Sequence, residues 1–177
     1  MPNHKEKRVV KKNNNTAVII RANDTNDPMH VIPLDARYAK KPRLVRLGLA
    51  VKYAVDHKLS LHNANLAGVN LNGLSLEWAN LSNANLSYAK MSGTNLNEAN
   101  LSQAELYKAD LTAAILTNAD LTFTNSEGAK MRNADLSGTS FYGAYLEEAD
   151  LRASAMIDAD FTNAEISHVK MGCIRKD

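Results

Sequence analysis

From residue 59 to about residue 173 a large apolar side chain returns at every fifth position, without one insertion or deletion. Leu61, Leu66, Leu71, Leu76, Leu81 and Leu86 open the series, Met171 closes it, and only Ser126 interrupts it. Two positions before most of the large residues stands a small one, usually alanine, as at Ala64, Ala84, Ala104 and Ala149. The residue between is Asn, Asp or Glu more often than anything else, so the unit is A-[N/D]-L-x-x. A step of five residues turns the apolar position by about 140° around an α-helix, which would scatter leucines over its whole surface. In a strand the same step would alternate faces. A square coil satisfies the pattern, with each unit forming one side and its Ala and Leu side chains turned inward. Four sides close a turn of twenty residues, and the repeat gives five to six coils stacked about 4.8 Å apart, a rod about 27 Å long.

Residues 16 to 58 read differently. Ala17-Val18-Ile19-Ile20 and Met29-His30-Val31-Ile32-Pro33-Leu34 are short apolar runs around the turn cluster Asn23 to Pro28, and they predict two short strands. Pro42 suits the first position of a helix, and Leu44, Leu47, Val51, Ala54 and Val55 share one face of a helix over 43–57. A basic amphipathic helix can lie on a membrane. A stacked repeat, however, needs its first coil covered, so this segment is expected to form a small α+β cap. Residues 1–15 hold Lys5, Lys7, Arg8, Lys11 and Lys12 with only Val9 and Val10 apolar, and are expected to be a basic, disordered tail.

In its uninterrupted A-[N/D]-L-x-x units, residues 59–173 resemble the pentapeptide repeat proteins. The resemblance implies an all-β solenoid, a right-handed quadrilateral β-helix, whose core is filled by the central large residue and the small residue two before it. Ser126, with Thr124 at the preceding small position, departs from the pattern and predicts a polar or loosened spot on one wall. Some bacterial family members resemble duplex DNA in width and charge and bind DNA gyrase in its place, so the resemblance also implies a DNA-mimic inhibitor as one function. Family mimics tend to dimerise at the C-terminal end; here the comparable expectation is a homodimer made by end-to-end stacking of the last coil through Phe161, Ile166 and Met171.

Charge divides the chain. Residues 1 to 58 carry 13 Lys/Arg against 5 Asp/Glu, and residues 59 to 173 carry 6 against 13, so a net of +8 adjoins a net of −7. Duplex DNA of the same length would bear about sixteen negative charges. Residues twenty apart become vertical neighbours, and one column, Lys90, Asp110, Lys130, Asp150 and Lys170, alternates in sign as a cross-strand ladder should. With Arg132 and Arg152 that wall nets +3. The wall of Leu66, Leu86 and Leu106 nets −4 and interleaves tyrosines with glutamates. Tyr88, Glu105, Tyr107, Glu127, Tyr145, Glu147 and Glu148 are therefore the candidate partner-binding patch, because exposed tyrosine is enriched at interfaces.

The five histidines are scattered, the carboxylates form outer columns, and a filled coil leaves no cavity for a small-molecule substrate, so no enzyme, metal or cofactor is expected. Cys173 alone excludes an internal disulfide. No apolar run reaches the length of a membrane span, and Met1 to Thr16 lacks a secretory core, so a cytoplasmic protein without membrane contact is expected. The reading is a non-enzymatic rod that modulates or inhibits a host or partner protein through its acidic, tyrosine-bearing wall. A DNA-mimic inhibitor of DNA gyrase or another DNA-acting enzyme is the alternative. Nucleic-acid binding by Lys5, Lys7, Arg8, Lys11 and Lys12 is a weaker one, since no aromatic accompanies them for base stacking.

Overall fold

The structure, a computed structural model, describes residues 17–172. The basic segment 1–15 and Cys173 lie outside the described residues. β1 (Ala17–Arg21) pairs antiparallel with β2 (Pro28–Pro33), with Val18 opposite Ile32 and Ile20 opposite His30. Ile20 and Ile32 are buried, whereas Ile19 and Val31 face outward, as alternation in a two-stranded ribbon requires. α1 (Arg43–Asp56) starts after Pro42, whose fixed φ suits a helix entry, and ends at His57. The His57 ring stacks on Tyr53 at 3.8 Å while its Nδ1 donates to the Tyr53 carbonyl.

From residue 61 the backbone turns at every fifth residue. Each unit closes a β-turn in which the small residue's N–H donates to the carbonyl of the large residue three before it, as from Ala84 to Leu81 (3.0 Å). The third residue of each turn has a left-handed backbone, at Asn83 (φ 59), Asn118 (φ 56) and Asn163 (φ 58) among others. Such turns favour Gly and Asn at that place, since a larger residue's Cβ crowds the following carbonyl. Before the turn, Asn or Asp accepts a backbone N–H two residues on, as Asn85 from Ser87 (3.0 Å) and Asp120 from Thr122 (2.9 Å). This local bond is why the position between Ala and Leu is so often Asn or Asp.

Between the turns the chain pairs in parallel with itself twenty residues on. The bridges run Asn65, Asn85, Glu105, Asn125, Tyr145, Glu165 on one wall and Asn70, Lys90, Asp110, Lys130, Asp150, Lys170 on the next. Each bridge is held from both sides, as where Asn85 N–H donates to Ala64 (2.9 Å) and Leu86 N–H to Glu105 (2.7 Å). Leu and Ala side chains from Leu61 to Leu151 fill the interior as one buried cluster, which also takes in Leu47, Ala50, Val51 and Ala54 of α1. In the final coil, Met156 and Phe161 are partly exposed and Ile166 and Met171 about half exposed.

Ser126 is fully buried, and the expected loosening is absent. Its N–H keeps the ladder bond to Tyr145 (2.7 Å), its Oγ donates to Thr124 Oγ1 (3.2 Å), and Thr124 Oγ1 donates to the Leu121 carbonyl (2.9 Å). The spot is polar but tied, because each hydroxyl has a partner.

The alternating charge column also differs in detail. Lys90, Asp110, Lys130 and Asp150 are vertical neighbours, yet the ion pairs that form within the column's wall use arginine. Arg152 grips Asp150 with two bonds (2.8 and 2.6 Å), and Arg132 lies 3.9 Å away. The planar guanidinium reaches a carboxylate bidentately where a lysine makes a single contact. The Arg152 bonds, opposed in part by desolvation and aided by Arg132, pull the Asp150 carboxyl from its ordinary 3.8 down to about 2. Asp135 and Asp160 are lowered as well, by their bonds from Ser137 and Thr162. A folded value below the unfolded one gives stability that is present above pH 3.8 and is lost as pH falls through about 2. Thermal melting should hardly shift down to mildly acidic pH and fall steeply below 3.8, and Asp150→Asn should flatten that fall.

Candidate functional site

The wall that stacks Glu105, Asn125, Tyr145 and Glu165 carries a groove of about 500 Å³. Its lining is Glu105, Phe123, Asn125, Glu127, Tyr145, Glu147, Glu165 and Ser167. The period builds it. Glu105, Tyr145 and Glu165 stand in the bridge column, and Glu127, Glu147 and Ser167 stand two residues further along the same wall in successive coils.

Phe123 comes from the preceding corner. It occupies a left-handed turn position (φ 57) and is 54% exposed. Its ring lies over the next coil, where a Cβ on Gly143 would fall 2.5 Å from Phe123 Cε1 and push the ring aside, so glycine lets the ring rest there. Tyr142 meets the Phe123 ring edge-on at 5.5 Å, and Tyr145, 57% exposed, stands in the same groove. The groove thus offers two aromatic faces within a frame of carboxylates.

Those carboxylates have few partners among the described residues. Asn125 Nδ2 donates to Glu105 Oε2 (3.0 Å), and His168 Nδ1 lies 3.7 Å from Glu147 Oε1. No lysine or arginine of the described residues pairs with Glu105, Glu127, Glu147 or Glu165. Aromatic faces and carboxylates at one place suit lysine and arginine side chains, through ring contact and ion pairing together.

Of the residues singled out from the sequence, Glu105, Glu127, Tyr145 and Glu147 line this groove, while Tyr88, Tyr107 and Glu148 do not. Tyr88 and Tyr107 meet edge-to-face at 5.5 Å, and Lys108 Nζ lies 4.7 Å from the Tyr107 ring centroid. The Tyr107 hydroxyl beside Lys108 holds that ammonium above its usual range. Lys5, Lys7, Arg8, Lys11 and Lys12 lie outside the described residues. Phe123, Asn125, Glu165 and Ser167 are the lining residues that the patch omitted. Asking which corner residues are bulky aromatics returns Phe123 together with Trp78 and Tyr88, so the sequence signal narrows the choice without making it.

Among the described residues no group of three His, Cys, Asp or Glu is placed to hold a metal, and no helix is long and apolar enough to cross a membrane. Two other exposed aromatics share this corner position, Tyr88 (φ 59) and Trp78 (φ 61), the latter beside Val55, Lys58 and Leu59 at the end of α1.

Residues 60–97, 94–125, 114–152 and 139–172 match the family described as pentapeptide repeats, in 8 copies. No curated protein matches the sequence. The chain is similar to the solved structure of HetL, a pentapeptide repeat protein involved in heterocyst differentiation regulation from the cyanobacterium Nostoc sp. strain PCC 7120. The two share 31% identity at a TM-score of 0.63, over 64% of this chain and 54% of HetL, so the chain spans about half of HetL's length. It is also similar to alr5209, a pentapeptide repeat protein from the same Nostoc, at 29% identity and a TM-score of 0.43, over 60% of this chain and 84% of that one. Trypsin-treated QnrB1, a plasmid-mediated fluoroquinolone resistance protein, matches at 17% identity and a TM-score of 0.33, over 63% of this chain and 66% of its own. That superposition is too loose to carry a role across. The fold these likenesses imply is a right-handed β-helix solenoid.

Proposed function

The chain belongs to the pentapeptide repeat family, whose members are in general structural or binding proteins, and from that premise we propose that it is a protein-binding rod of the cytoplasm. In this reading five to six coils, covered at one end by the β1–β2 ribbon and α1, present the acidic aromatic groove to a partner protein and so modulate it. The observation that carries the reading is Phe123. An exposed aromatic at a left-handed corner is unfavourable twice, by about 1 kcal/mol or more of backbone strain and by apolar surface left in water. Left-handed corners recur at every fifth residue of the coil, so what sets this one apart is that its exposed ring stands with Tyr145 beside converging carboxylates, as in a binding site.

Pull-down from cell extract compares the parent with two variants. Tyr145→Ala combined with Glu127→Lys should lose the main partner, and Tyr107→Ala, outside the groove, should keep it. Equal recovery by all three removes the groove from the reading. Phe123→Asn separates binding from folding: asparagine relaxes the corner, so melting should hold or rise while partner recovery falls.

DNA mimicry is less well supported. Lys90, Lys130, Lys170, Arg132 and Arg152 make one wall net positive, where a duplex is negative all round. Purified protein is expected to leave gyrase supercoiling unchanged at tens of micromolar. The half-exposed Ile166 and Met171 support an end-to-end homodimer as the form that binds. Sedimentation showing a monomer would remove that element alone.

A further inference from the structure

The acidic groove and the basic segment that precedes β1 belong to one chain, and the fold sets them within reach of each other. Asn65 N–H donates to the Arg21 carbonyl (2.7 Å), so β1 stands at the foot of the column that rises through Asn85, Glu105, Asn125 and Tyr145 to Glu165. Glu105 lies two coils above Asn65 and Glu165 five, or about 10 to 24 Å along the rod. Ala17 is the end of β1 away from Arg21, about 13 Å along the strand, and the twelve residues from Lys5 to Ala17 span about 40 Å when extended, enough to cover that offset and the column.

We infer that residues 1–16 dock in the acidic aromatic groove of their own chain. Charge favours this occupant. Lys5, Lys7, Arg8, Lys11 and Lys12 stand against Glu6 alone, and the groove sets Glu105, Glu127, Glu147 and Glu165 together, with Lys108 next to Glu127 but no salt bridge to a lysine or arginine among the described residues. The apolar pair Val9-Val10 falls between the two basic clusters, where it can meet the rings of Phe123 and Tyr145. Tethering does the rest. A short linker holds its end at a millimolar effective concentration, so an association too weak to detect between separate molecules is populated within one. A partner presenting lysine or arginine must first displace the segment, which lowers its apparent affinity by the docked fraction. That competition rests on the function proposed above; the docking does not.

Zero-length carbodiimide cross-linking of the full chain, which joins a lysine amine to a carboxylate in contact, tests the docking directly. Peptide mapping should find Lys5, Lys7, Lys11 or Lys12 joined chiefly to Glu105, Glu127, Glu147 or Glu165, with a yield that does not change on dilution. Glu127→Gln with Glu147→Gln keeps the wall's shape but removes two acceptors, so the reading is taken at the two that remain: links to Glu105 and Glu165 should fall about tenfold, the loss expected for two charge contacts near water. Raising the parent protein to molar salt should act in the same direction, without any substitution. Absence of these links overturns the inference. So do links spread equally over Glu77, Glu98 and Asp158 of another wall, or a yield that falls on dilution, which would mean contact between copies. A failed partner pull-down leaves the cross-link result intact, so the two readings fall separately.

Discussion

Leu116→Ala is expected to lower the free energy of unfolding by about 3 kcal/mol, read as a lower urea midpoint at unchanged slope. Leu116 is completely buried, with Leu96 and Leu136 directly below and above it in neighbouring coils. Their backbones are fixed by ladder bonds, as Leu96 N–H to Ile115 (2.7 Å) and Leu116 N–H to Asp135 (2.7 Å), so the wall cannot collapse into the space that alanine leaves. The cost is therefore both the lost transfer of the side chain and most of the cavity. Ile166→Ala, at a half-exposed position of the final coil, should cost about 1 kcal/mol or less, because water already reaches it. Equal losses at the two sites would contradict an interior sealed along its length.

Gly48→Ala is expected to detach α1, although alanine is the better helix former by about 1 kcal/mol. Geometry reverses the sign. A Cβ on Gly48 would lie 2.2 Å from the Asn70 carbonyl oxygen, a backbone atom of the solenoid's first coil, and backbone held in a ladder cannot step aside. The helix would have to lift, uncovering its own Leu47, Ala50, Val51 and Ala54 and, beneath Gly48, Val69. Amide exchange would show it as lost protection across α1 and the first coil, with the central coils unchanged. Retained protection in α1 would mean that the helix shifts without uncovering the coil.

The interior was legible in the sequence because its rule is strict. A five-residue period fixes which side chains point inward, and the leucines and alanines it selects from Leu61 to Leu151 are buried. The vertical neighbours followed from the same count, so Lys90 and Asp110 are bridged through their backbones, although among the described residues no salt bridge joins their side chains. What the period leaves out is the outer surface. Head-group geometry decides that Arg152, with its two parallel bonds, rather than Lys130 holds Asp150, and no spacing expresses it. The left-handed corner is the larger omission. It places Phe123 at the edge of a wall to which its position in the repeat does not assign it, and so moves the centre of the groove away from Tyr88 and Tyr107. Gly48 was invisible for a related reason. A glycine inside a helical pattern reads as a weak position until the carbonyl it lies against is known.

The parallel return after twenty residues bears on how the chain acquires its shape during synthesis. No strand waits for a partner made much later, since Glu105 needs only Asn85 behind it and Asn125 ahead. Short separations between paired residues favour fast folding. A ribosome could thus lay the rod down one storey at a time, starting on the floor that β1, β2 and α1 provide, with at most a single unpaired storey open to wrong partners at any moment.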